Sequence, residues 1–293
     1  DALIERLRTL SRVRPATRRE PVAEVLAQAL QAQPTAPGLL LCEGSWDLPA
    51  GGPVPAGVEL PDSLALDDRD WVYIDTETTG LSSGVGNLAF MVGLARWQGG
   101  RRILLQQFVL AGFAGERAML EQVAARVGER ATLVSYNGKR FDLPLLDGRC
   151  RAQRLPGSLS DLGHLDLLYA VRRAFRGVWP DCRLQTVEQR LLGMHRVDDL
   201  PGAEAPRAWR EWLGRGVTGR LRGVLAHNRQ DLLSLAVLHR RLTAVYRDGA
   251  GSAADIAAIG RAWRRAGRSA AGWAGAMAGG DARQLVLPVD RPT

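Results

Sequence analysis

The stretch WVYIDTETTG, residues 71–80, ends an apolar run on two carboxylates, Asp75 and Glu77, one residue apart. Side chains alternate across a strand, so both point to the same side. Like charges held that close repel one another unless a cation stands between them, and hard carboxylate oxygens suit magnesium or manganese. DTETTG also reads as a turn whose Asp and Thr side chains bond backbone amides. Two further stretches carry acids. In SYNGKRFDLPLL, residues 135–146, Asp142 stands where a helix opens, with Pro144 in its first turn. It reads either as a metal ligand or as the helix N-cap. Asn137 and Lys139 bring polar groups to the same strand end, placed to grip a phosphate. In LAHNRQDLLSLAVLHRRL, residues 225–242, His227 and Asp231 lie four apart and share a helix face. That spacing marks either a functional pair or a surface contact.

One geometry unites the three stretches. Asp75, Glu77, Asp142 and Asp231 supply four carboxylates from three separated segments, and His227 adds a group that titrates near neutrality. Two metal ions about 3.5–4 Å apart, bridged by carboxylates, are the arrangement for in-line attack on a phosphodiester. A neutral imidazole beside the attacking water is placed to take its proton.

These residues need elements to hold them. The apolar pattern predicts strands over 71–76, 88–97 and 102–110, the last two joined by a hairpin turn at Gly99-Gly100. A helix is expected over 116–127, a fourth strand over 131–136, a helix from about Phe141, and a short fifth strand near 165–167. From Leu184 onward the pattern is helical, with a break expected between Gly219 and His227. Strands, then alternating helices and strands, then helices, predict an α/β mixed five-stranded sheet with helices on both faces. Residues 1–32 read as helical, broken by Pro15. Residues 33–66 are Pro- and Gly-rich and read as a linker or draped arm. The divisions expected are therefore an arm and linker over 1–66, a catalytic domain over 67–249, and an Ala/Gly-rich tail over 250–293, helical around 256–271.

The 293 residues carry a net charge of +8, and Lys139 is the only lysine. A basic balance points to a polyanionic partner without choosing one. Three cysteines without a CxxC pair argue against a disulfide framework and fit a reducing cytoplasm. No apolar run reaches the length of a membrane span. The arginines of VRRAFRGVWPDCR and WREWLGRGVTGRLRG either track a nucleic-acid backbone or cover solvated helix faces. Trp209 and Trp212 stack bases or fill the core. Asp166 reads as a helix cap, and Asp198-Asp199 as a polar turn.

DTETTG resembles the first motif of the DEDD-type 3′–5′ exonucleases of the ribonuclease H-like superfamily. YNGKRFDLPLL resembles the second motif as found in proofreading domains of family B DNA polymerases, and HNRQD stands in place of the third. LQTVEQRLLGMHRVDDLPG, followed by HNRQDLLSL, is similar to the bacterial YprB-type members. The resemblance covers roughly 175 residues and implies a ribonuclease H-like fold, with Asp75, Glu77, Asp142 and Asp231 binding two divalent ions, Mg²⁺ or Mn²⁺. It implies a 3′–5′ exonuclease that hydrolyses single-stranded DNA or RNA ends, with His227 as general base and Thr78, Asn137, Lys139 and Phe141 touching the strand. One departure stands out: members carry either a His five residues before the last Asp or a Tyr four before it, whereas His227 is a His at the spacing of the Tyr. The alternative functions are a nucleic-acid-binding module without turnover and a scaffold that recruits protein partners.

Overall fold

A computed structural model of the chain describes residues 22–48, 52–54, 60–66, 70–80, 86–249 and 253–267. Its centre is one seven-stranded sheet in the order β1-β2-β5-β4-β3-β6-β7. The strands are β1 (Gln33–Ala36), β2 (Leu39–Asp47), β3 (Trp71–Thr78), β4 (Ala89–Gly99), β5 (Arg102–Leu110), β6 (Thr132–Ser135) and β7 (Gly163–Asp166). β1 to β5 pair antiparallel, while β3–β6 and β6–β7 are parallel, so the sheet is mixed as expected.

The helices are α1 (Ala23–Leu30), α2 (Glu116–Val127), α3 (Asp142–Ala152), α4 (Leu167–Phe175), α5 (Leu184–Val187), α6 (Ala205–Arg215), α7 (Gly219–Asp248) and α8 (Ile256–Arg265). α5 continues into a π-turn over Glu188–Leu192. Two hydrophobic cores form, one on each face of the sheet. Val72, Ile74, Phe90 and Val92 face α1, α2, α3 and α6. Tyr73, Ala95, Val134 and Leu165 face α4, α5, α7 and α8. The alternation of burial along β3 thus sends odd and even positions into different cores. Trp209 and Trp212 are core residues: Trp209 stacks on Phe90, and the Trp212 indole N–H donates to the Ala111 carbonyl.

Three expectations change. The segment read as a linker contains two strands, so five strands become seven. Pro37-Gly38 is the turn between β1 and β2, with Gly38 in the left-handed region at φ 72°, and β2, which opens on the apolar run LLLC, pairs along the whole of β5. Pro and Gly there punctuate a hairpin rather than mark a loose tether. Secondly, no helix break occurs between Gly219 and His227, because α7 runs continuously. Its first half packs in one core through Leu221 and Val224, and its second half in the other from Leu232 onward. Burial on both sides outweighs the two glycines. Thirdly, the C-terminal helix ends at Arg265. Residues 1–21 and 268–271, for which helix was also expected, lie outside the described residues, as does the rest of the tail.

No described helix is long and apolar enough to cross a membrane.

Candidate active site

β3 carries Asp75 and Glu77 to the middle of the sheet, beside the point where α7 passes from one core to the other. That crossing requires Gly93 on β4: a Cβ there would overlap Asn228 Oδ1 and Leu232 Cδ1 of α7. A glycine inside a strand of bulky residues marks such a close approach. Asn228 is fully buried. Its amide nitrogen donates to Asp75 Oδ2 at 2.7 Å, and its oxygen accepts from Gln107 of β5 at 2.8 Å. One buried side chain therefore locks α7 to two strands and fixes the Asp75 carboxylate.

Asp142 is the first residue of α3, and the N-cap position belongs to Phe141 with no side-chain cap bond. The cap reading of Asp142 is thereby excluded. Its carboxylate instead turns back to β3 and accepts a short hydrogen bond from the Thr76 hydroxyl. Gly138 makes room for it: a Cβ on Gly138 would stand 3.1 Å from Asp142 Oδ2. Asp166 does cap a helix, accepting from Leu168 N at 3.1 Å, and it also accepts from Asn137 N at 2.7 Å and Lys139 N at 3.1 Å. It pins the loop that leads to Asp142.

Asp231 and His227 project from α7 into a cluster that the sequence did not announce. Arg196, in the loop after the π-turn, donates to both oxygens of Glu188 at 2.6 and 2.7 Å and to Asp199 at 3.1 Å. It also makes a short bond to Asp231 Oδ1. His227 Nδ1 lies 2.7 Å from Asp199 Oδ1 and 3.2 Å from Arg196 Nη1, while its Nε2 lies 3.7 Å from Asp231 Oδ2. Arg196 has no acceptor to offer, so one proton on Nδ1 satisfies only the Asp199 contact. The shorter contact assigns that proton to Nδ1, leaving Nε2, 3.7 Å from Asp231 Oδ2, as the accepting nitrogen. Asp199 is thus the orienting partner of His227 rather than a turn residue.

The four acids converge electrostatically. Burial raises Asp75 well above the carboxylate range, and repulsion from Asp231, Asp142 and Glu77 adds to it, against the Asn228 hydrogen bond. Glu77 is raised likewise, first by burial, then by Asp231, Asp142 and Asp199, with Arg196 opposing. Burial pushes Asp142 up to about 6 despite the Thr76 bond. Asp75 and Asp142 are packed round by protein yet keep part of their surface open to solvent. Among the described residues, no three His, Cys, Asp or Glu side chains stand together as ligands of one ion. Asn228, Thr76 and Arg196 hold Asp75, Asp142 and Asp231 instead. The donor chemistry nonetheless fits hard divalent cations: oxygen-only acids, desolvated and mutually repelling, with one guanidinium to offset them.

A pH dependence follows for the metal-free protein. An acid whose folded pKa is raised is stabilising when neutral. That contribution is fully present below the ordinary 3.8 of Asp142 and is lost as pH rises through about 6. The melting temperature in EDTA is expected to climb as pH falls from about 8 to about 5. A flat or falling profile over that range would contradict the burial of these acids. Divalent ions are expected to raise the melting temperature most at the alkaline end.

The other expected contact residues divide. Thr78 spends its hydroxyl on the Gly80 carbonyl at 2.6 Å. Asn137 adopts a left-handed conformation, φ 70°, at the end of β6. Lys139 is exposed, and Phe141 is 41% exposed with the Arg140 guanidinium 5.9 Å from its ring. His164 bonds Ser135 at 2.8 Å, and His239 is buried against Trp71 and Tyr73, so neither belongs to the centre.

The uncharacterized protein YprB of Bacillus subtilis (strain 168) is 38% identical over 169 residues, which cover 57% of this chain and 40% of YprB. The chain thus spans about two fifths of that relative. Among solved structures, the family B DNA polymerase of the archaeon Pyrobaculum calidifontis overlaps with 16% identity and a TM-score of 0.48, over 60% of this chain and 25% of the polymerase. E. coli Exonuclease I in complex with a dT13 oligonucleotide overlaps at 15% identity and a TM-score of 0.35, over 56% and 45%. These two overlaps are too loose to carry an argument. Residues 72–243, more than half the chain and every acid of the centre, match the RNase_H superfamily, and the chain belongs to that family.

Proposed function

We propose that the protein is a metal-dependent nuclease, a 3′–5′ exonuclease of the DEDD type that hydrolyses phosphodiester bonds at single-stranded DNA or RNA ends. The observation that carries this reading is that Asp142 and Asp231 both act electrostatically on Asp75 and Glu77, while burial raises Asp75, Glu77 and Asp142 alike. These four acids would hold two divalent ions, Mg²⁺ or Mn²⁺. When bound, such ions neutralise the phosphate and make water a stronger nucleophile. The chain's own residues do the rest. His227 accepts a proton from the attacking water at Nε2, while Asp199 holds its Nδ1–H and stabilises the resulting imidazolium. Asn228 keeps Asp75 in place, and Thr76 does the same for Asp142. The four-residue spacing of His227 from Asp231 is workable on this geometry because both project from one face of the unbroken helix α7.

One observation favours a second reading, a nucleic-acid-binding module without turnover: Arg196 engages Asp231 and leaves it less available to an ion. A single assay separates the two. End-labelled single-stranded DNA and RNA are incubated with Mg²⁺ or Mn²⁺, for wild type and His227→Ala. Laddering from the 3′ end is expected, slowed about 10²- to 10⁴-fold in the variant. Retained binding with no cleavage of any substrate would favour the second reading. Undiminished cleavage by His227→Ala would remove His227 as the base.

A further inference from the structure

Next to the acids lies a cleft of about 770 Å³ that the chemistry above does not use. One wall is Arg172 on α4 and Arg176, the C-cap one turn further on, and the facing wall begins at Arg183, the N-cap of α5. All three are exposed, and among the described residues none of their guanidinium groups makes a salt bridge or side-chain hydrogen bond. The single carboxylate in the lining, Asp181, accepts from the Thr186 hydroxyl at 2.5 Å and from Arg183 N at 2.9 Å. Both bonds land on Oδ1, and among the described residues Asp181 forms no bidentate pair with any of the three arginines. The Tyr136 hydroxyl donates to the Cys182 carbonyl at 2.6 Å and ties the two walls together.

The inner end of the cleft is Asn137. Its backbone is fixed by Asp166, and its side-chain amide makes no hydrogen bond among the described residues. The next residue, Gly138, is the one packed against the Asp142 carboxylate. The cleft therefore starts one residue away from the acidic centre and leads outward along α4. Arginine forks in an open, concave wall suit phosphate oxygens. The volume falls within the range of about 300–1,000 Å³ typical of small-ligand pockets, enough for a short piece of a chain rather than a whole domain.

We infer that the Arg172–Arg176–Arg183 cleft binds the phosphodiester backbone of the nucleic-acid strand next to the bond being cut, through its phosphates and without regard to base. The inference rests on the nuclease reading and adds to it the path of the strand. Three of the lining residues are arginines, and the one aromatic in the lining, Tyr136, spends its hydroxyl on the Cys182 carbonyl. Contacts there are accordingly to the backbone, which carries no sequence information.

The test is a binding measurement that needs no cleavage. Fluorescein-labelled single-stranded oligonucleotides, DNA and RNA, homopolymeric and mixed in sequence, are titrated in EDTA with wild type and with the triple variant Arg172→Gln, Arg176→Gln, Arg183→Gln. Anisotropy is followed across a series of salt concentrations. Loss of three phosphate contacts is expected to flatten the slope of log K against log salt by about 2, since each contact contributes about 0.7 on a single strand. Affinity at low salt should fall tenfold or more, equally for every sequence. Thermal melting should be unchanged, because exposed and unpaired side chains contribute little to stability. Equal slopes and affinities in the two proteins, or no binding by wild type, would overturn the inference. A loss confined to one base sequence would overturn its backbone character. Wild type that binds with the expected slope change but never cleaves would leave the cleft assigned and remove the nuclease reading. Cleavage with no slope change would do the reverse.

Discussion

Asp75→Asn is expected to lower phosphodiester cleavage by roughly a thousandfold, because the charge stabilisation supplied through a lost metal ligand is worth several kcal/mol, about 4 here. The same substitution should leave the metal-free protein at least as stable as wild type. Asn228 donates to Asp75 Oδ2, and an asparagine at position 75 can still accept that bond through its own carbonyl oxygen. The substitution also removes a carboxylate that burial and three acidic neighbours all disfavour. Activity and stability therefore move apart, which is unusual for a buried polar position. Gel assays with Mg²⁺ or Mn²⁺ read the first, and melting in EDTA reads the second. A variant that loses stability while keeping its activity would make Asp75 a structural residue and end the proposed role.

Arg196 is expected to behave in the opposite way. Its side chain is 5% exposed, and that of its main partner Glu188 is 0% exposed. Removing the guanidinium in Arg196→Met leaves Glu188, Asp199 and Asp231 facing one another with only Ser234 donating to Glu188. Breaking a buried pair from one side costs about 3–5 kcal/mol, measurable by urea unfolding at neutral pH. Arg196→Lys keeps the charge but not the fork that serves both Glu188 oxygens, so a loss remains. Adding Glu188→Gln to Arg196→Met should recover part of the stability, since the orphaned charge is then gone. A loss below about 1 kcal/mol in Arg196→Met would show that the cluster is solvated rather than sealed.

What sequence reveals of this centre depends on how local each cause is. The strand that ends in DTETTG, the strand over 102–110 and the helix over 116–127 emerge from periodicity because neighbours in sequence share a face. The family match over 72–243 spans all three acidic stretches. Asp142 is ambiguous in sequence because a cap and a first helical residue differ by one position, and Thr76, which decides the matter, sits 66 residues away. Asp199 looks like part of a polar turn, and Arg196 carries no signal of its own, because their partners Glu188, His227 and Asp231 are brought to them by the fold. Asn228 is hidden between His227 and the acid, but a clue exists in FMVGLARW: Gly93 in a strand of bulky residues records that another backbone comes close. The hairpin of β1 and β2 is obscure in sequence because Pro and Gly signal loops generally, whereas here one such pair is its turn.

The course of α7 has a consequence for how the chain is made. Asn228 and Asp75 are separated by 153 positions, and the segment between them builds most of the sheet. Because the two halves of α7 rest in different cores, residues 227–231 settle only after both faces are assembled. A chain emerging from the ribosome presents Asp75, Glu77 and Asp142 long before Asp231, and domains form from the N-terminus onward during synthesis. An unfinished chain therefore carries an incomplete set of acids. On the proposed nuclease reading, hydrolytic competence would arrive with the last large helix of the described residues, so a cell would hold no half-built copies able to cut its own nucleic acid.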